Sequence, residues 1–248
     1  MNLMGLKEAI GEVRASIVQI RTMAGVLGTG FFVAESGHIA TAQHVVDAAG
    51  VDQILVGFAH DNTENMRANF TLVDAAAVAG DAARDVALIL PSRNPFADPI
   101  GTGFVINDVE LPLPHRVATL DPARPADGEA IAISGYPLSN PVLITTSGAV
   151  ASAWPYDVEE VTPPGAPPGW TMPSTLDLYV ADVQGNPGNS GGPAYRISDS
   201  AVIGVCIQVQ MAPTRNASGE VGEFAADAGL TVLRPARYVL DLMATAGI

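Results

Sequence analysis

The chain has 248 residues, 48% hydrophobic and 15% charged, with 25 glycines, 19 prolines and a single cysteine. So little charge on so apolar a chain excludes disorder, and one cysteine excludes an internal disulfide framework, so the fold must rest on its core. Acidic residues outnumber basic ones 26 to 12, a formal net charge of −14, and the basic ones are scattered singly from Lys7 to Arg237, which argues against a nucleic-acid partner.

Residues 2–14 place Leu3, Leu6, Ile10 and Val13 three and four apart, the spacing of an amphipathic helix. Lys7, Glu8, Glu12 and Arg14 interrupt any apolar leader core in the first twenty residues, and no later run approaches the ~18–20 apolar residues of a membrane span. These features predict a cytoplasmic protein with no membrane contact.

The period then shortens. Strands are predicted at 16–21, 29–33, 38–42, 53–58, 69–73 and 86–90, with the second and third joined at the Glu35-Ser36-Gly37 turn. A break rich in Pro and Asp, residues 119–128 (TLDPARPADG), predicts a linker between a first barrel at 15–118 and a second at 129–233. Strands of the second half are predicted at 130–134, 142–146, 149–153, 176–183, 192–197 and 201–209. Helical spacing resumes at 234–248, where Ala236, Val239, Leu240 and Met243 share a stripe. Residues 154–174 hold six of the nineteen prolines, which cannot donate to a β ladder, so they read as a long exposed loop.

The stretch richest in chemistry is Gly185–Pro193, GNPGNSGGP. Its four glycines permit backbone conformations that a β-carbon obstructs, around the one hydroxyl of Ser190. Such a turn can present the hydroxyl and aim the amides of Gly188 and Ser190 at one point, an oxyanion hole. A serine needs a base to act as nucleophile at neutral pH. Of four histidines, His44 follows an apolar strand in ATAQHVVDAA, while His38, His60 and His115 lie in contexts of turns and strand edges. A poorly solvated carboxylate must orient that base, and Asp85 stands directly before the apolar run of ARDVALILP. Each signal alone also has an ordinary structural reading: a loop, a core histidine, a strand cap.

Taken together, the order His44, Asp85, Ser190 resembles the trypsin-like serine peptidases, and the HtrA/Deg branch in particular. The resemblance is carried by Gly28-Thr29-Gly30-Phe31-Phe32-Val33, Gly37 to Val46, Asp85-Val86-Ala87-Leu88, Ala132 to Pro137, Thr146 to Val150, Asp182 to Pro193 and Val202 to Val205. It implies an all-β fold of two perpendicular six-stranded antiparallel barrels, with short helices at both ends and no cofactor or metal. It also implies a serine endopeptidase acting on protein or peptide substrates. Gln184, six before the nucleophile, would then sit at the base of the specificity pocket, with Cys206, Ile207, Gln208 and Val209 as its wall. No carboxylate is offered to Arg or Lys, so small or medium aliphatic residues are expected on the acyl side of the cleaved bond. Asn189 stands where digestive relatives carry an Asp that receives a new N-terminal amine, so activation by that route is not expected. A chain ending at Ile248 leaves no room for the PDZ domain usual in HtrA proteins. The competing reading is a peptide-binding module on the same fold, silent or gated. The sequence leaves the oligomeric state open.

Overall fold

The computed structural model describes residues 4–60, 69–98, 105–106, 109–110, 115–140, 142–154, 177–215 and 221–248. Runs rich in Val, Ile and Phe in the first half form β1 (Ile17–Thr22), β2 (Gly25–Phe32), β3 (Ile39–Thr41), β4 (Ile54–His60), β5 (Asn69–Asp81) and β6 (Val86–Pro91). They close an antiparallel barrel in the order β1-β2-β3-β6-β5-β4. Its interior holds Ile20, Phe31, Ile39, Val56 and Leu88, each at or near complete burial. Each such side chain contributes about 1.5–3 kcal/mol by leaving water. A two-residue hairpin, β7 (Val105–Ile106) with β8 (Val109–Glu110), follows.

The second barrel comprises β9 (Ala130–Gly135), β10 (Ile144–Trp154), β11 (Leu178–Asp182), β12 (Pro193–Arg196), β13 (Val202–Arg215) and β14 (Val221–Pro235), closed as β10-β11-β14-β13-β12-β9. Ile131, Ile133, Val150, Tyr179, Cys206 and Leu233 fill it. Two six-stranded antiparallel barrels are the all-β architecture expected from the sequence.

The strands of the second barrel are not all those predicted. The runs at 142–146 and 149–153 form one strand, β10, because Gly148 pairs with Ile131 in β9 and lets the Asp182 carbonyl come where a β-carbon would stand. The sixth strand is β14, whose Ala, Asp and Gly content hides it in the sequence. Its ladder to β13 and β11 supplies what local propensity lacks. Residues 155–174 of the Pro-rich segment lie outside the described residues.

Three α-helices complete the described fold. In α1 (Leu6–Arg14) the buried residues are Ala9 and Val13, and the predicted stripe is displaced, with Leu6 37% exposed. The short α2 (Gln43–Asp47) follows β3 directly. In α3 (Ala236–Ala246), Tyr238 is buried beside Ala236 and Val239, and Gly247 ends the helix in the left-handed region (φ 75°) with Ile248 N–H donating to Met243 O at 3.0 Å. Residues 115–121 pass from one barrel to the other: Ala118 N–H donates to Phe32 O, and Asp121 N–H to Val202 O, both at 2.9 Å.

Candidate active site

Antiparallel pairing of β3 with β6, which sets Thr41 opposite Ala87, brings the start of α2 beside the turn that ends at Asp85. Asp85 is a non-glycine residue with φ 56°, in the left-handed region. Its Oδ2 lies 2.7 Å from His44 Nδ1, and its Oδ1 accepts the His44 backbone N–H at 2.9 Å. One carboxylate thus holds both the ring and the main chain of the same residue, which fixes the imidazole in place. The hydrogen bond to Asp85 raises the pKa of His44 above its ordinary 6.5, ahead of the opposing effect of burial. The other described histidines are placed elsewhere: His38 Nδ1 meets Ser36 Oγ at 2.8 Å, and His115 packs between the rings of Phe32 and Phe58.

Ser190 occupies the loop between β11 and β12. Its carbonyl accepts the N–H of Thr29, in β2 of the other barrel, at 2.9 Å. A β-carbon on Gly28 would stand 2.7 Å from that carbonyl and 2.7 Å from Val45 Cγ2, so the Ser190 loop and the residue after His44 converge there. Ser190 Oγ makes no hydrogen bond to His44 among the described residues. Such bonds are often long in a free site and tighten on substrate.

Backbone geometry explains two of the four glycines directly. Gly188 (φ 103°) has no room for a β-carbon, which would lie 2.5 Å from Tyr136 O, and Gly191 (φ 82°) would drive one into Thr41 Oγ1 and Thr29 O. Among the described residues, neither the Gly188 nor the Ser190 N–H donates to any acceptor, although the N–H groups of Asn189, Gly191 and Gly192 all do. Asn189 is buried between them.

The residues named for the specificity pocket fall in different settings. Gln184 is exposed, and its carbonyl accepts Thr146 Oγ1 at 2.8 Å. Cys206 is buried and exchanges hydrogen bonds with the Ser190 loop: Gly191 N–H donates to its carbonyl at 2.7 Å, and its own N–H donates to Gly192 O at 2.9 Å. Ile207 is buried, Gln208 exposed, and Val209 half-buried, with its Cγ2 3.1 Å from where a β-carbon of Gly185 would stand. Sequence reasoning passed over Thr29 as one member of a glycine-flanked motif, and it passed over Tyr136 and Leu138. No local pattern marks Thr29 and Tyr136, which meet each other from different barrels, or Leu138, whose partner Pro187 stands far along the chain.

Two closed barrels with a histidine–carboxylate pair on the first and a Gly-rich serine turn on the second define a class. Residues 28–205 match the trypsin-like peptidase domain family, and the chain belongs to it. A protein described as a probable periplasmic serine endoprotease DegP-like, from Halomonas elongata, is 30% identical over 187 residues. That match covers 74% of this chain and 29% of the relative, so the chain spans under a third of the relative's length. Among solved structures, the active form of the Rv3671c protease from M. tuberculosis superposes with a TM-score of 0.61 at 21% identity, covering 96% of this chain and 84% of the other. Its inactive form superposes at 0.60 and 20% identity, covering 97% and 93%.

The DegP-like relative is named as periplasmic, and this corrects the cytoplasmic placement expected from the sequence. That expectation rests on charges near the start and on the lack of a long apolar run, and neither feature fixes a compartment. Among the described residues no helix is long and apolar enough to cross a membrane.

Proposed function

We propose that the chain is a serine endopeptidase in which Ser190 is the nucleophile, His44 the general base and Asp85 the residue that orients it. Ser190 Oγ attacks the peptide carbonyl as His44 Nε2 takes its proton, and the amides of Gly188 and Ser190 receive the oxyanion. The intermediate collapses, His44 protonates the leaving amine, and water releases the acyl group by the same steps in reverse order. The cycle draws on side chains and amides and calls on no cofactor. The observation that carries this reading is the double hold of Asp85 on His44, together with a serine turn whose Gly188 and Ser190 N–H groups donate to no acceptor among the described residues.

The substrate is a protein or peptide chain. Ile207 and Val209 are apolar and Gln184 is uncharged, which supports small or medium aliphatic residues on the acyl side of the bond. A cleavage profile dominated by Arg, Lys or Trp would overturn that preference. The name of the DegP-like relative supports work outside the cytoplasm.

Labelling by a fluorophosphonate probe tests the reading. The wild type is expected to label at neutral pH and Ser190→Ala to stay unlabelled. A wild type that neither labels nor cleaves an unfolded protein would move the chain to the peptide-binding reading.

A further inference from the structure

The oxyanion site named above has amides but no visible reason to keep them free. Trans peptide groups point N–H and C=O in opposite directions, so the Gly188 N–H lies opposite Pro187 O. Gly188 is set by the bonds that hold the peptide groups on its two sides, at Pro187 O before it and at its own O after it. Three carbonyls of the loop are accounted for. Pro187 O accepts the N–H of Leu138 at 2.7 Å, Gly188 O accepts Thr29 Oγ1 at 2.7 Å, and Ser190 O accepts the N–H of Thr29 at 2.9 Å. One residue of the first barrel therefore grips the nucleophile loop on both sides of Asn189.

The Thr29 hydroxyl is used as donor and acceptor at once. It gives its proton to Gly188 O and accepts the N–H of Tyr136 at 3.0 Å, and the Thr29 carbonyl accepts Thr41 Oγ1 at 2.8 Å. Thr29 is fully buried, so no water can stand in for these bonds. Tyr136 leads into a turn in which Leu138 and Ser139 both have positive φ (56° and 57°), a conformation that non-glycine residues adopt only when their surroundings impose it. The hydroxyl thus ties the strained turn to the loop that the same turn holds at Pro187. The β1 and β2 strands bring it there: Thr29 pairs with Gln19 in a ladder fixed independently of the second barrel.

We infer that Thr29 is a positioning residue for the oxyanion hole, its hydroxyl fixing Gly188 from the opposite barrel so that the Gly188 N–H faces the reacting carbonyl. The inference rests on the peptidase reading above. Valine has the same shape but neither bond, and would take from the part-buried Gly188 carbonyl and the buried Tyr136 amide the hydroxyl that now meets them.

The experiment uses the full chain with Thr29→Val and Thr29→Ser, measuring kcat and KM on a peptide substrate and inhibition by a peptide aldehyde, whose adduct places an oxyanion in the hole. Thr29→Val is expected to lose roughly 100-fold in kcat, the lower range for loss of an oxyanion donor, with KM held within about 3-fold. Aldehyde inhibition is expected to weaken in proportion, and Thr29→Ser to restore both. Should Thr29→Val fail to melt cooperatively, Thr29→Cys places a weak donor in the same space and carries the same expectation. The inference is overturned if kcat survives, if kcat falls while aldehyde affinity does not, or if serine fails to rescue. An inactive, unlabelled wild type would instead overturn the peptidase reading, and the inference with it.

Discussion

Asp85 grips His44 at ring and backbone, and the pH behaviour of the site follows from that pair. The hydrogen bond to Asp85 raises the pKa of His44, and a general base must be neutral to accept a proton. The acid limb of kcat/KM is therefore expected to have its midpoint above the ordinary histidine value of about 6.5, and a limb centred below it would contradict the pairing. Stability runs the other way. A group whose pKa is raised on folding contributes fully below its unfolded value and loses that contribution as pH rises through the folded one. Asp85→Asn is expected to lower kcat by about 10⁴-fold by favouring the wrong tautomer, while circular dichroism shows the barrels intact. Cys206 belongs to the core: burial pushes its thiol up to about 12. Iodoacetamide at pH 8 is expected to leave it unmodified in the folded protein and to modify it in urea.

At the scale of elements, the main polar tie is Asp177, which stands just before β11 with a fully buried side chain. Arg237 of α3 reaches its Oδ2 at 2.6 Å, Arg124 of the crossover reaches Oδ1 at 3.2 Å, and Arg234 at the end of β14 donates to its carbonyl at 2.7 Å. Tyr238 lies among the guanidinium groups of Arg84, Arg234 and Arg237, at 5.0, 5.9 and 4.8 Å from its ring centre. Removing the carboxylate takes a shared partner from Arg124 and Arg237, whose side chains are 34% and 36% exposed, and leaves the Arg234 bond to the backbone carbonyl in place. Asp177→Ala is expected to cost about 1.5–3 kcal/mol, the range for a hydrogen bond to a charged group, read as a lower urea midpoint at unchanged slope. The exposed pair Arg93–Asp98 provides the contrast, and Asp98→Ala is expected to change stability by less than about 0.5 kcal/mol. Equal costs for the two would mean that burial does not decide the worth of an ion pair here.

At the scale of the molecule, the charge of −14 sets a negative field around the protein. A strongly acidic surface raises the local concentration of cationic chains, and salt screens that attraction. The value of kcat/KM for a basic, unfolded protein is expected to fall as ionic strength rises from 0.02 to about 0.2 M, a range over which the Debye length shrinks below 10 Å. An uncharged peptide is expected to show no such dependence. Cleavage of a basic protein that ignores salt would remove charge from the account of substrate capture.

Six strands of the first barrel were legible, since each run of Val, Ile and Phe is bounded by turn residues. But β5 runs on from the expected 69–73 to Asp81, because its Ala-rich second half is held by its ladder to β6. The candidate triad could be read from His44, Asp85 and Ser190 because each sits in a short motif whose chemistry is local. The split of β10 and the loss of β14 mark where that reading ended, for a glycine in a strand and an Ala-rich strand both depend on their ladder partners rather than on their own residues. Leu6 turned outward and Tyr238 inward because helix faces answer to what the barrels present. Composition determined a disulfide-free body resting on its core, and motif order carried the resemblance that implied both the all-β fold and the family. Only the tertiary structure decided that Thr29 holds the serine loop, since a hydrogen bond between barrels joins residues more than a hundred positions apart and leaves no period in the sequence.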